Sequence, residues 1–215
     1  MRAMILYDYF RSSAAFRVRI GLNLKGLTAE LRQVHLLKGE QRDAAYLEVN
    51  RQGLVPTLVV GDRRLTQSLA ILEYLDERHP LPPLLPQGAE DRAWVRSIAL
   101  AIACDIHPLN NTRVLKYLKE TLTLDEQTRN AWYAHWIREG FDAIEPDLAE
   151  RATGAFCGGD TPTLADICLV PQVFNARRLD IPLDPWPRIR AITDACMALP
   201  AFDAAQPSRQ PGAGV

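Results

Sequence analysis

LVPTLVVGDRRLTQSLAILEYLDE, residues 54–77, decides the fold. VPTLVV and RRLT are short runs rich in apolar and β-branched side chains. Gly61-Asp62 between them supplies the backbone freedom of a two-residue turn, which predicts a β-hairpin. Directly after it, Leu69, Leu72 and Leu75 recur at helical spacing, and Ser68 is placed to cap the start of that helix. A hairpin that runs into a helix needs further strands to complete a sheet, and these lie upstream. MILYDYF, residues 4–10, reads as a buried strand, and ELRQVHL, residues 30–36, offers Leu31 and Val34 to Leu36 for a second.

Between those strands lies YFRSSAAFRVRI, residues 9–20, where two periodicities compete. Phe16, Val18, Ile20, Leu22 and Leu24 alternate as in a strand. Phe16, Ile20 and Leu24 also share one helical face. The ends favour a helix, with serines before the run and Lys25-Gly26 after it. Arg17 and Arg19 are expected to cover the helix surface or a domain contact.

Downstream, PLPPLLP at 80–86 breaks both patterns and predicts a stiff linker. Beyond it the chain reads as helix after helix. EDRAWVRSIALAIACDIHPLNNTRVLKYLKETL is interrupted by Pro108, which predicts a kink or break. LDEQTRNAWYAHWIREGFDAIEPDLAERA presents Trp132, Trp136 and Ile137 as a packed face. TPTLADICLVPQVFNARRL opens with Thr163 and Asp166 at capping-box spacing, a folding signal. The tail QPSRQPGAGV reads as frayed. The expected organisation is therefore an α/β domain over residues 1–80, a Pro-rich linker over 81–87 and an all-α domain over 88–215.

With 215 residues, 47% of them hydrophobic, the chain can bury a sizeable core. Twenty-five basic and 26 acidic side chains leave a formal charge of −1, which gives no electrostatic reason to expect nucleic acid or a membrane surface as partner. No apolar run approaches the ~20 residues that cross a bilayer, so a cytoplasmic protein is expected. The four cysteines, at 104, 157, 168 and 196, lack metal-ligand or disulfide spacing and are expected to be reduced and buried. The four histidines, at 35, 79, 107 and 135, form no metal motif either.

YFRSSAAFRVRIGLNLKG, GLVPTLVV, LTQSLAILEYLDE and TPTLADICLVPQ, in this order and spacing, resemble the glutathione transferases. With CDIHPLNN and LVPQVFNARR they resemble the zeta class, the maleylacetoacetate and maleylpyruvate isomerases. The resemblance covers nearly the whole chain. It implies a thioredoxin-like N-terminal domain followed by an all-helical one, glutathione as cofactor, and a homodimer.

On that resemblance, Ser12 donates a hydrogen bond to the glutathione thiolate, with Ser13 beside it. Pro56 is the cis-proline that lets the Val55 backbone meet the cysteinyl part, and Gln67 and Ser68 hold the γ-glutamyl carboxylate at a helix N-terminus. Gln41, His107 and, more weakly, Asn111 reach the glycyl end. The family substrate is a dianionic cis-enedione, so Arg11, Arg177 and then Arg113 are the expected carboxylate anchors, arginine being a fixed two-pronged cation. The implied reaction is reversible addition of the cofactor thiolate to the cis C=C, rotation, and release of the trans isomer.

Two departures carry information. The zeta motif usually reads Ser-Ser-Cys, and here the third position is Ala14, which argues against dehalogenase side chemistry. Position 112 is Thr where some maleylpyruvate isomerases have arginine, which tilts the substrate toward maleylacetoacetate. The competing readings are a transferase acting on other electrophiles and a non-catalytic protein on the same scaffold.

Overall fold

The structure, a computed structural model, describes residues 3–151 and 154–213. Its contacts divide the chain into two units, one running up to Leu84 and rejoined by the chain from Ala198 onward, the other spanning Leu85–Met197.

In the first unit the strands are β1 (Met4–Asp8), β2 (Glu30–Gln33), β3 (Thr57–Val60) and β4 (Arg63–Thr66), ordered β2-β1-β3-β4. β1 pairs with β2 in parallel, and β3 lies antiparallel to both β1 and β4. The predicted hairpin forms around Gly61, whose φ of 59° is the left-handed geometry that a tight two-residue turn requires. The second strand is shorter than its sequence signal, ending at Gln33, and all four of its residues are exposed. It is an edge strand, and buried Val34 follows it.

Helix α1 spans Ser13–Leu24, α2 Ala44–Leu47 and α3 Ser68–Arg78. Met4, Leu6, Val18, Leu22, Leu27, Leu58, Ile71 and Leu75 form one core between the sheet and the two longer helices. Each such side chain, fully buried, contributes about 1.5–3 kcal/mol. A Cβ at Gly21 would fall 2.1 Å from Leu72 Cδ2, so glycine is what lets α1 lie this close to α3.

The competing periodicities of residues 9–20 have a physical cause. α1 is buried on almost every side, including Arg17 at 1% exposure and Arg19 at 4%. A helix with no solvent face carries no amphipathic stripe, so spacing alone cannot distinguish it from a strand. The expectation that these arginines cover a surface is corrected. Arg19 donates from Nη1 to Asp8 Oδ1 (2.6 Å), from Nη2 to the Phe10 carbonyl (3.1 Å) and from Nε to the Ala205 carbonyl (2.9 Å). Burial pushes the Asp8 carboxyl up, and the adjacent Arg19 charge pulls it back down.

That last bond explains why the C-terminal segment belongs here and why the frayed tail is also corrected. Helix α9 (Pro200–Asp203) lies against α1 with Phe202 fully buried. A 3-10 turn at Pro207–Arg209 follows, and Ala213 packs on the cluster of Tyr9, Phe10, Val34, Tyr46 and Val55. The second unit accordingly stops at Met197 rather than running to 215. The proline-rich stretch is tied to the first unit as well. Lys25 Nζ donates to Asp76 Oδ1 and to the carbonyls of His79 and Pro82, and Leu84 N–H donates to Asp76 Oδ1.

The described residues of the second unit form α4 (Ala89–Leu100), α5 (Thr112–Glu120), α6 (Glu126–Arg151), α7 (Leu164–Arg178) and α8 (Pro187–Met197). The break expected at Pro108 is a π-helical turn, Ala101–Ile106, followed by a 3-10 turn, His107–Asn110. The buried stripe of α6 is Tyr133, Ile137, Phe141, Ile144 and Leu148. Trp132 and Trp136 flank it half-buried, so the packed face is rotated from the one expected. α7 is buried continuously from Leu164 to Gln172 and packs on α4 and α8. Its capping box forms as expected. The start of α8 is closed by Glu145 of α6, whose two carboxylate oxygens accept from Arg188 N–H (2.6 Å) and Ile189 N–H (2.9 Å).

Candidate functional site

Register brings three distant motifs to one end of the first unit's sheet. Tyr7 pairs with Thr57 and Thr57 with Thr66, at the end where β1 exits, β3 enters and β4 exits. Arg11-Ser12-Ser13, Val55-Pro56 and Gln67-Ser68 therefore gather there from positions up to 57 residues apart in the chain.

Ser12 is the N-cap of α1, its Oγ accepting from Ala15 N–H at 3.2 Å. A hydroxyl has one proton to give, and that of Ser12 has no acceptor among the described residues. Ser13 is buried in the first turn, and Ala14 is half-buried beside it. Arg11 is exposed, with its guanidinium 5.1 Å from the Phe10 ring centroid. The start of α1 thus combines helix N–H groups, a donor hydroxyl and an exposed cation, a set suited to a thiolate and a carboxylate.

The Val55–Pro56 bond is cis. The β3 ladder begins at Thr57, which leaves the N–H and C=O of Val55 outside it. Two side chains that the sequence reading missed hold this loop. The Leu54 carbonyl accepts from Tyr46 Oη (2.6 Å) and Asn50 Nδ2 (2.8 Å), and both groups also meet Thr57 Oγ1. Burial pushes the Tyr46 hydroxyl pKa up, consistent with a neutral structural donor. Nothing in the periodicity marks Tyr46 or Asn50, because their role depends on a loop that folds back on them.

Gln67 has φ 70° and ψ 118°, a left-handed φ that costs a non-glycine residue roughly 1–3 kcal/mol. Its side-chain Nε2 lies 3.2 Å from Gln52 Oε1. Ser68 does not cap α3 as expected; it is the first helical residue, and its Oγ accepts from Arg17 Nη1 at 3.3 Å. Gln41 sits in the 3-10 turn Glu40–Arg42, and its Oε1 is buried without a partner among the described residues. The Gln41 carbonyl closely approaches Gly53, the residue before the Leu54 loop.

The remaining expected residues lie in the second unit. His107 is half-buried in its 3-10 turn. Asn111 caps α5, accepting from Arg113 N–H at 3.1 Å, and the Arg113 side chain is exposed. Arg177, near the end of α7, donates to Asp194 Oδ1 at 2.8 Å in an exposed pair. All four cysteines are free, but Cys104 is exposed rather than buried. No group of three or more His, Cys, Asp or Glu among the described residues could hold a metal ion.

Two family descriptions match the chain, "Glutathione S-transferase, N-terminal domain" over residues 6–83 and "Glutathione S-transferase, C-terminal domain" over residues 127–195. The chain belongs to the glutathione S-transferase family. It is 49% identical over 209 residues to a maleylpyruvate isomerase of Ralstonia sp., covering 97% of this chain and 99% of that one. A holo structure of maleylpyruvate isomerase, described as a bacterial zeta-class glutathione S-transferase, superposes with a TM-score of 0.95 at 49% identity, covering 97% and 99%. A maleylacetoacetate isomerase of Anaeromyxobacter dehalogenans with glutathione bound in its active site superposes with a TM-score of 0.88 at 44% identity, covering 99% and 100%. The thioredoxin-like plus all-helical fold and the zeta-class resemblance read from the sequence are both borne out.

Proposed function

We propose that this chain is a glutathione-dependent cis–trans isomerase of a maleyl-substituted dianion, maleylacetoacetate before maleylpyruvate. The observation that carries the reading is the convergence of two hydroxyl-bearing helix starts and the Val55-Pro56 loop at one sheet end. The residues present fit glutathione, since each polar part of a short anionic peptide finds an unspent group. Ser12 has an unassigned proton, Val55 keeps its N–H and C=O outside the ladder, Ser68 stands at the start of α3, and Gln41 has an orphaned buried oxygen. When bound, glutathione supplies a thiolate nucleophile that adds reversibly to the cis double bond and so permits rotation.

The protein's own task is to bind, orient and hold charge. Ser12 would donate a hydrogen bond to the thiolate sulfur, and the N–H end of α1 would favour the negative form; Ser13 stands beside it. Gln67 and Ser68 hold the γ-glutamyl carboxylate, and Gln41, His107 and Asn111 serve the glycyl end. Arg11 pairs with a substrate carboxylate, as do Arg177 and Arg113. For Arg177 this means exchanging Asp194 for the substrate. Such an exchange is cheap, because an exposed ion pair is worth only about 0–1 kcal/mol.

Family membership supports a homodimer, and four free thiols suit a reducing, cytoplasmic location. No described helix is long and apolar enough to cross a membrane. Light scattering that gives a monomer mass would remove the dimer.

The direct test mixes protein, glutathione and either maleyl compound, and follows the fumaryl product. Arg177→Ala is expected to raise KM for the dianion about tenfold, the worth of one charge-assisted contact, with the melting temperature unchanged. Turnover of neutral electrophiles in place of the maleyl compounds would instead favour the transferase reading.

A further inference from the structure

Arg17 lies in the second turn of α1. It is 1% exposed, and its Nη1 is hydrogen-bonded to Ser68 Oγ, a residue 51 positions away at the first turn of α3. Guanidinium is charged at every accessible pH and has only donors to offer, so the direction of this bond is fixed. Ser68 must accept from Arg17. One lone pair of its hydroxyl is thereby committed toward α1, and its own proton is left with no acceptor among the described residues. Ser68 itself is 6% exposed, so little bulk water is available to take that proton.

A serine at a helix start ordinarily has a choice. It can turn its oxygen to its own helix N–H groups, as Ser12 does with Ala15, or present its proton outward. In Ser68 the oxygen is turned toward Arg17 instead, and no helix N–H among the described residues donates to it. A hydroxyl that accepts from a cation is also polarised, which strengthens the bond it donates.

We propose that Arg17 is a positioning residue for cofactor binding, which locks Ser68 as an acceptor toward α1 so that its proton is presented to the γ-glutamyl carboxylate. This rests on the reading that Ser68 receives that carboxylate. Arg17 does not touch the cofactor; it acts through Ser68, and its effect is confined to ligands that carry the γ-glutamyl group.

The experiment measures binding of glutathione and of cysteinylglycine, which lacks the γ-glutamyl group, by calorimetry. The proteins are the wild type, Ser68→Ala, Arg17→Gln, Arg17→Lys and the double variant Arg17→Gln/Ser68→Ala. Ser68→Ala is expected to weaken glutathione about tenfold and leave cysteinylglycine unchanged. Arg17→Gln is expected to match it on both ligands, with kcat at saturating glutathione unchanged. In the Ser68→Ala background the same change should add less than about twofold, since coupled residues do not add. Arg17→Lys, which keeps the charge and a donor, should recover part of the loss.

If Ser68→Ala leaves glutathione binding intact, the underlying reading of the site fails, and the proposal with it. If Ser68→Ala weakens glutathione but Arg17→Gln does not, the reading stands and the proposal is overturned. Equal weakening of both ligands by Arg17→Gln, or an undiminished effect in the Ser68→Ala background, overturns it too, because each marks general damage. Should Arg17→Gln fail to fold, Arg17→Lys alone and with Ser68→Ala carries the same comparison at about threefold.

Discussion

At the start of α7, Thr163 and Asp166 close the helix on itself, whereas at the start of α1, Ser12 leaves its proton unclaimed. Asp166 accepts from Thr163 N–H (2.7 Å), Thr163 Oγ1 (2.8 Å) and Cys157 N–H (2.8 Å), and the whole arrangement is buried. Ser12 accepts a single bond from Ala15. Both sites follow the same rule, a small hydroxyl residue ahead of an apolar run. They differ in whether an anion from the chain already sits among the helix N–H groups. Where one does, the terminus serves folding; where none does, it is free for an anion that arrives from outside.

Thiols sharpen the contrast. Burial, and then the Asp166 charge, push the Cys157 thiol well up, and the same two causes push up Cys196, whose Sγ lies 3.7 Å from Asp166 Oδ1. Burial is the main cause of both shifts, and the negative charge of Asp166 adds to it, so neither thiol is activated beside this sealed terminus. The open terminus of α1 is the one suited to lowering a thiol's pKa.

The largest effect that would break this comparison is at the sealed end. Asp166→Ala removes a cap and strands buried N–H groups of Cys157 and Thr163, so a loss of about 3–4 kcal/mol in urea unfolding is expected. A loss under 1 kcal/mol would mean that the seal contributes little. Ser12→Ala should do the opposite, lowering isomerisation about 10²–10³-fold, as for one removed charge-stabilising donor, while costing about 1 kcal/mol of stability. The pKa of bound glutathione, followed by thiolate absorbance, should rise in that variant. An unmoved pKa would place the thiolate donor elsewhere.

The raised thiols give a pH dependence of smaller size. Below the ordinary value of 9.0 both folded and unfolded chains keep these protons, and the contribution is fully present. Above it the unfolded chain releases them first, so stability falls as pH rises, by up to about 1.4 kcal/mol per unit for each thiol. Urea midpoints at pH 8 and pH 10 measure this, and Cys157→Ala with Cys196→Ala should flatten the slope. A thiol reagent at pH 8 should meanwhile modify Cys104 alone in the native protein and all four cysteines after unfolding. The smallest effect belongs to α8, where Glu145→Ala opens a terminus closed from another helix and should cost about 1–2 kcal/mol.

Much of this was legible in the sequence, and what was not has a common cause. The hairpin, α3, the break at Pro108 and the Thr163–Asp166 box depend on residues close together in the chain, where turn and cap chemistry act. α1 was ambiguous because Arg17 and Arg19, which look like a solvent face, are buried against Ser68 and Asp8. Ser68 was read as a cap because its real partner is 51 residues away. Tyr46 and Asn50 escaped notice for the same reason at shorter range, their partners lying across a loop. The zeta-class resemblance points to a candidate site where periodicity does not, since it carries the order of motifs rather than the shape of any one.

The bond from Arg19 to the Ala205 carbonyl spans 186 residues. Ribosomes emit a chain from its N-terminus, and domains generally fold as they emerge. Here the first unit draws part of its packing, Phe202 and Ala213, from residues translated after the whole of the second unit. A nascent chain stalled before residue 198 would lack that part of the first unit's packing, so the unit built from the earliest residues is completed after the one that follows it.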